Sequence, residues 1–258
     1  MYTLINGHKI NYEIINQHLV DSQKPVLIFL HEGLGSIGQW KDFPQNLCTA
    51  VNLPGIVYDR YGYGLSDPLQ EKRENTFLHD EAFIYLPGLI KNLKIENKII
   101  LVGHSDGASI ALLYASSFSD KLLGVISEAA HVMLEKVSLK GIQKVAAEYN
   151  NNESLRIRLS KYHPGISDKM FNGWVDAWLA PEFEGWNIEA LLSGIKVPVL
   201  AIQGDDDEYG TYDQLLSIKK NASSEVEIFY LQDCGHVPHL QESEKVMIKM
   251  ADFIFKIV

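Results

Sequence analysis

The sequence predicts an α/β chain: a mostly parallel β-sheet with helices on both faces. Two observations carry that expectation. Apolar runs of strand length alternate with segments of helical periodicity along most of the 258 residues. One long stretch, 131–195, breaks the alternation by staying helical without a convincing strand. A chain of this length can bury one large core.

The elements follow in order. Residues 2–5 and 9–15, joined around Asn6-Gly7, read as an opening hairpin. Strands are expected at 26–30, 55–58, 99–102, 122–127, 197–203 and 226–231, and helices at 39–49, 77–93, 106–117, 212–220 and 243–257. In the last helix Met247, Met250, Ala251 and Ile254 recur at helical spacing, so one face should pack on the sheet. Within 131–195, Phe171, Trp174, Val175, Trp178 and Leu179 form a similar stripe after Ser167, a candidate N-cap. Packing within that segment is the favoured reading of the stripe, with substrate contact as its alternative.

Composition excludes several function classes. The net charge is −10 and no long basic run occurs, which argues against nucleic acid or an anionic membrane as partner. No stretch approaches the ~20 apolar residues of a membrane span, no leader is visible, and a cytoplasmic location is expected. Cys48 and Cys234 are the only cysteines, expected as free thiols, with Cys234 serving packing.

The chemistry centres on Gly103-His104-Ser105-Asp106-Gly107, between the run 99–102 and a helical segment. A serine on so tight a strand-to-helix turn needs small flanking residues, and its hydroxyl is lifted clear of the sheet edge. The following N–H then stands at a helix N-terminus, where an oxyanion can be held. Serine needs a base within reach. His236, in Gly235-His236-Val237-Pro238, is the best candidate and His239 its rival. The acid that orients the base comes from Asp205-Asp206-Asp207-Glu208 after another apolar run, and the order Ser, Asp, His fits an α/β-hydrolase rather than other serine-hydrolase scaffolds.

Two further motifs complete the pattern. The run 26–30 enters His31-Glu32-Gly33-Leu34-Gly35-Ser36, and the next strand ends in Asp59-Arg60-Tyr61-Gly62-Tyr63-Gly64-Leu65-Ser66-Asp67. From end to end the chain resembles the α/β-hydrolase fold family, in its lid-bearing serine esterase-like group. The resemblance implies an eight-stranded sheet, a core of 1–130 and 196–258, and a helical cap at 131–195 inserted after the sixth strand. It implies a Ser105, Asp207, His236 triad, because the family's acid stands three residues after the glycine; Glu128 is the runner-up. Gly33 and Asp106 would supply the oxyanion-hole N–H groups, and His31 would be structural.

The implied activity is hydrolysis of a small carboxylic ester through an acyl-enzyme. The same apparatus serves thioesters, lactones and carbon–carbon bonds, and a ligand sensor with little turnover is an alternative from another class. The small-molecule ester is then the partner. The His-Gly-Gly-Pro-Gly loop associated with proline iminopeptidases is missing, which lowers that reading. No cofactor or metal is expected: His31-Glu32 lacks the second histidine of a zinc helix, the acidic cluster lacks the interval of a calcium loop, and Gly62-Tyr63-Gly64 is too short for a dinucleotide loop. Glu32 stands where many relatives carry glycine, and Arg60 is its expected ionic partner. The Asp106 carboxylate is expected in its helix's first turn.

Overall fold

A computed structural model describes residues 1–20 and 22–258. Its sheet begins with β1 (Tyr2–Ile5) and β2 (His8–Ile15), paired antiparallel. Then come β3 (Val26–Leu30), α1 (Phe43–Ala50), β4 (Gly55–Tyr58), α2 (Phe77–Asp80) and α3 (Leu86–Asn92). β5 (Ile99–His104), α4 (Asp106–Ser117) and β6 (Leu122–Glu128) form the centre. The helices α5 (Lys136–Asn151), α6 (Glu153–Tyr162) and α7 (Ser167–Trp178) precede β7 (Val199–Gly204). The chain finishes with α8 (Tyr212–Asn221), β8 (Val226–Leu231), α9 (Pro238–Gln241) and α10 (Ser243–Ile257).

The eight strands run β1-β2-β4-β3-β5-β6-β7-β8. All pairs from β4 to β8 are parallel, and β2 pairs antiparallel with β4. Strand periodicity splits the core in two. Val26, Ile28, Leu30, Ile99 and Leu101 face the cluster built with α2, α3, α4 and α8. Leu27, Phe29, Ile100 and Val102 face the other, built with α1 and α10. Strands buried on both faces are why these runs are apolar throughout rather than alternating. Val246, Met250 and Ile254 are the buried face of α10.

Several expectations shift in detail. The helix anticipated at 39–49 divides into a short 3₁₀ turn, Ile37–Trp40, and α1, whose first turn contains Pro44. The one anticipated at 77–93 is unbroken along the chain but passes through a π-helical turn, Glu81–Tyr85, between α2 and α3. Pro87 lies just beyond and has no N–H to return to the preceding turn. β7 starts at Val199, not at 197, because Pro198 cannot donate to a ladder. The stretch between β6 and β7 is helical, apart from a Met133–Asn187 bridge. Ser167 is the first residue of α7, with Ile166 in the N-cap position. No helix among the described residues is long and apolar enough to cross a membrane.

Gly103 and Gly107 allow β5 and α4 to meet. A Cβ on Gly107 would collide with the Leu30 carbonyl, and one on Gly103 with the Gly107 carbonyl. Backbone on both sides leaves nothing to yield. Gly107→Ala is therefore expected to cost about 3 kcal/mol of stability, read as a lowered urea midpoint; an unchanged midpoint contradicts this packing.

Candidate active site

Ser105 sits between β5 and α4 with φ 54° and ψ −118°, a strained conformation for a residue with a Cβ. Its N–H donates to the Glu128 carbonyl at 2.8 Å, anchoring the turn to β6. The loop after β8 brings His236 to it: Nε2 lies 2.9 Å from Ser105 Oγ and Nδ1 lies 2.8 Å from Asp207 Oδ1. With Nδ1–H donating to the carboxylate, Nε2 is free to accept from the hydroxyl. All three residues are buried.

Asp207 is held on three more sides. Oδ1 accepts from the N–H groups of Tyr209 (2.8 Å) and Gly210 (3.3 Å), while Oδ2 accepts from Gln203 Nε2 at 3.3 Å. Burial works to raise its pKa, but His236 and these donors outweigh it and hold Asp207 below the ordinary aspartate value. Its neighbours do not converge on the imidazole: Asp205 accepts from the Cys234 N–H, and Asp206 is exposed.

The two rivals pair with each other. Glu128 Oε2 lies 2.8 Å from His239 Nδ1, and its Oε1 accepts from the His239 N–H at 2.6 Å. Trp40 and Phe43 pack on the His239 ring, 4.7 and 5.2 Å between centroids. Burial would raise the Glu128 pKa, yet His239 keeps it lowered. Cys48 and Cys234 are free, buried thiols whose pKa values burial pushes up to about 12 and about 11.

One expectation is corrected. Arg60 approaches Glu32 through the backbone carbonyl, at 2.8 Å, and pairs with the Asp106 carboxylate at 3.3 Å. The Glu32 carboxylate instead faces His104, Oε2 to Nδ1 at 3.5 Å, because its side chain turns away from Arg60 and under Gly35. The other His104 nitrogen donates to the His236 carbonyl at 2.8 Å. Burial alone would lower His104, but Glu32 and Glu128 raise it to about 9; burial would raise Glu32, but His104 brings it to about 2. Asp106 does lie in the first turn of α4, as expected.

These shifts set a pH window. The depressed Glu32 contributes stability that is complete above its ordinary 4.5 and lost as pH falls toward 2. The raised His104 contributes stability that is complete below 6.5 and lost as pH rises through 9. The destabilisation of His104→Gln, measured by urea unfolding, should therefore be largest at about pH 5.5 and shrink by about pH 9.5. A penalty that does not change with pH contradicts the ion pair.

Ser105, Asp106, Gly33 and His236 line one cavity of ≈ 240 Å³, roofed by Ile142, Leu159, Trp174 and Trp178 of α5 to α7. Trp174 abuts Gly33, where a Cβ would collide with the indole, so the stripe of α7 is both internal packing and cavity wall. One residue here escaped sequence reasoning. His131, just beyond β6, is buried with its ring 6.1 Å from that of His236; burial and then His236 hold its pKa down to about 4. The Trp174 indole N–H has no hydrogen-bond partner among the described residues. The position of His131 at the carboxyl end of the strand beside the one that leads to Ser105 was its available signal.

Comparison with known proteins agrees with this architecture. The chain is 22% identical to a proline iminopeptidase of Lactobacillus helveticus, over 96% of its own length and 95% of the relative's. An α/β-hydrolase from a Medee basin deep-sea metagenome superposes with a TM-score of 0.78 at 19% identity, covering 98% of this chain and 97% of that one. A thermophilic esterase from Thermogutta terrifontis gives 0.72 at 18% identity, with 100% and 99% covered. The sequence model of the alpha/beta hydrolase family matches residues 27–247, and the chain belongs to that family.

Proposed function

We propose that the protein is a serine hydrolase that cleaves small carboxylic esters through an acyl-enzyme. One observation carries the reading: the unbroken line from Asp207 through His236 to Ser105, 2.8 and 2.9 Å. Ser105 Oγ attacks the ester carbonyl as His236 Nε2 takes its proton. The tetrahedral intermediate then collapses, and the departing alkoxide receives that proton and leaves as alcohol. Water attacks the acyl-serine, giving a proton to His236, and collapse returns the acid and the serine hydroxyl. Asp207 holds the ring and stabilises its charged form. The N–H groups of Gly33 and Asp106 receive the oxyanion, each worth about 3 kcal/mol in comparable sites. The helices of 131–195 act as a cap that excludes water from this step.

Cavity size supports a small acyl group. At ≈ 240 Å³ it is below the roughly 300–1,000 Å³ of sites for drug-sized ligands. On a panel of nitrophenyl esters, kcat/KM should be highest for two to four acyl carbons, falling about tenfold or more by the octanoate. Equal rates along the series would contradict this. A second reading comes from the relatives named proline iminopeptidases, and the exposed Glu208 carboxylate on the cavity wall is the group that would meet a free amine. Faster turnover of prolyl nitroanilide than of nitrophenyl acetate would favour it. Tight ligand binding with at most one turnover would favour a sensor.

A further inference from the structure

Resting on the serine-hydrolase reading, we infer that Arg60 is a positioning residue for the oxyanion hole, acting on both of its backbone donors from behind. The guanidinium is wholly buried, and Tyr63 lies against it with its ring centroid at 4.5 Å. Nη2 donates to the carbonyl oxygen of Glu32 at 2.8 Å and meets Asp106 Oδ2 at 3.3 Å. Those partners are not arbitrary. The Glu32 carbonyl is the other end of the peptide unit that carries the Gly33 N–H, and the Asp106 carboxylate hangs from the residue whose N–H is the second donor.

The Glu32 carbonyl is held more completely than an ordinary loop carbonyl. The Arg60 N–H donates to His31 Nε2 at 3.0 Å, which leaves the His31 proton on Nδ1. That proton goes to the same Glu32 oxygen, 2.8 Å away. The Gly35 N–H also points there, at 3.1 Å. Burial, with Arg60 next, keeps His31 well below its ordinary pKa and so neutral in this tautomer. One carbonyl thus accepts from an imidazole, an amide and a buried cation. Three donors fix the peptide plane, and with it the direction of the Gly33 N–H.

Two electrostatic effects follow. Hydrogen bonds polarise one another, so electron density drawn toward the Glu32 oxygen leaves the Gly33 N–H a stronger donor. The charge costs no reorganisation when the oxyanion forms, because the guanidinium is already in place. At the second donor, the Asp106 carboxylate would oppose an oxyanion held at its own N–H; the adjacent guanidinium cancels it. Both effects grow as negative charge develops on the substrate oxygen. Arg60 should therefore act on kcat and barely on ground-state binding.

The test compares wild type, Arg60→Met and the double variant Arg60→Met/Asp106→Asn. The double variant removes both members of the Arg60–Asp106 pair, while Arg73 still faces the buried Glu81, and so keeps the fold testable if the single one is unstable. Each is assayed for ester kcat and KM, for inhibition by a simple alkylboronic acid that forms a tetrahedral adduct on Ser105, and for fluorophosphonate labelling. The single variant should lose about 100-fold in kcat with KM within about threefold, and the boronate Ki should rise in step. The double variant should regain stability and part of the rate, yet stay at least about tenfold down, since the Glu32 carbonyl still lacks its cation. Wild-type kcat in the double variant, or a loss confined to KM, would overturn the role of Arg60. Absence of labelling in wild type would instead overturn the nucleophile assignment itself.

Discussion

Ser105→Ala is expected to abolish ester turnover, lowering kcat by about 10⁵-fold or more while the fold persists. The size of the loss follows from the geometry. His236 Nε2 has Ser105 Oγ at 2.9 Å as its proton donor, and Ser105 is the only serine, threonine or cysteine among the described residues lining the cavity. The cysteines are poor substitutes: Cys234 and Cys48 are buried thiols whose pKa values are raised, leaving almost no thiolate at neutral pH. Residual catalysis should come only from the two backbone donors, and fluorophosphonate labelling should vanish. The elbow conformation, φ 54°, is one that alanine can occupy about as poorly as serine, so the thermal midpoint should move little. Steady-state kinetics with circular dichroism separates lost chemistry from lost structure. Retained turnover in a folded Ser105→Ala protein would place the nucleophile elsewhere.

The second large effect belongs to Asp207, the proposed acid. Asp207→Asn should reduce kcat by about 10²–10³-fold, because the amide oxygen at the Oδ1 position still accepts from His236 Nδ1–H but carries no charge to stabilise the imidazolium. The Tyr209 and Gly210 N–H groups fix the position occupied by Oδ1, so the substitution changes chemistry more than shape. Glu128→Gln is the comparison. Its carboxylate binds His239, away from the serine, so its removal should cost stability through a broken buried pair while kcat changes far less. The reverse ranking of the two variants would make Glu128 the acid.

The parts legible in the sequence are those where chemistry is local. A two-glycine elbow after a strand has few structural solutions, because Leu30 and Gly107 leave no room for a Cβ; Ser105 was therefore readable. Residues 26–30, 55–58 and 226–231 are the strands as bounded by apolar composition. The proposed acid, Asp207, was picked out only by analogy with the family, since four consecutive carboxylates differ in which way each points. Side-chain pairing across loops was not readable. Glu32 was matched with Arg60 by charge, yet two carboxylates and two cations can exchange partners at little change in sequence pattern. The outcome depends on side-chain directions: Glu32 turns under Gly35 to His104, which frees Arg60 for Asp106. The π-helical turn at Glu81–Tyr85 was hidden for a related reason, its apolar spacing being that of an ordinary helix.

An acyl group caught in transit gives the most direct test. Wild-type protein mixed with excess nitrophenyl acetate and quenched within the first turnover should carry one acetyl group, located by peptide mass spectrometry on Ser105. The matching burst of nitrophenol should be absent from His236→Ala. Steady turnover with no acetylated serine, or acetyl found on another residue at the rate of product release, would contradict the relay from Asp207 through His236 to Ser105.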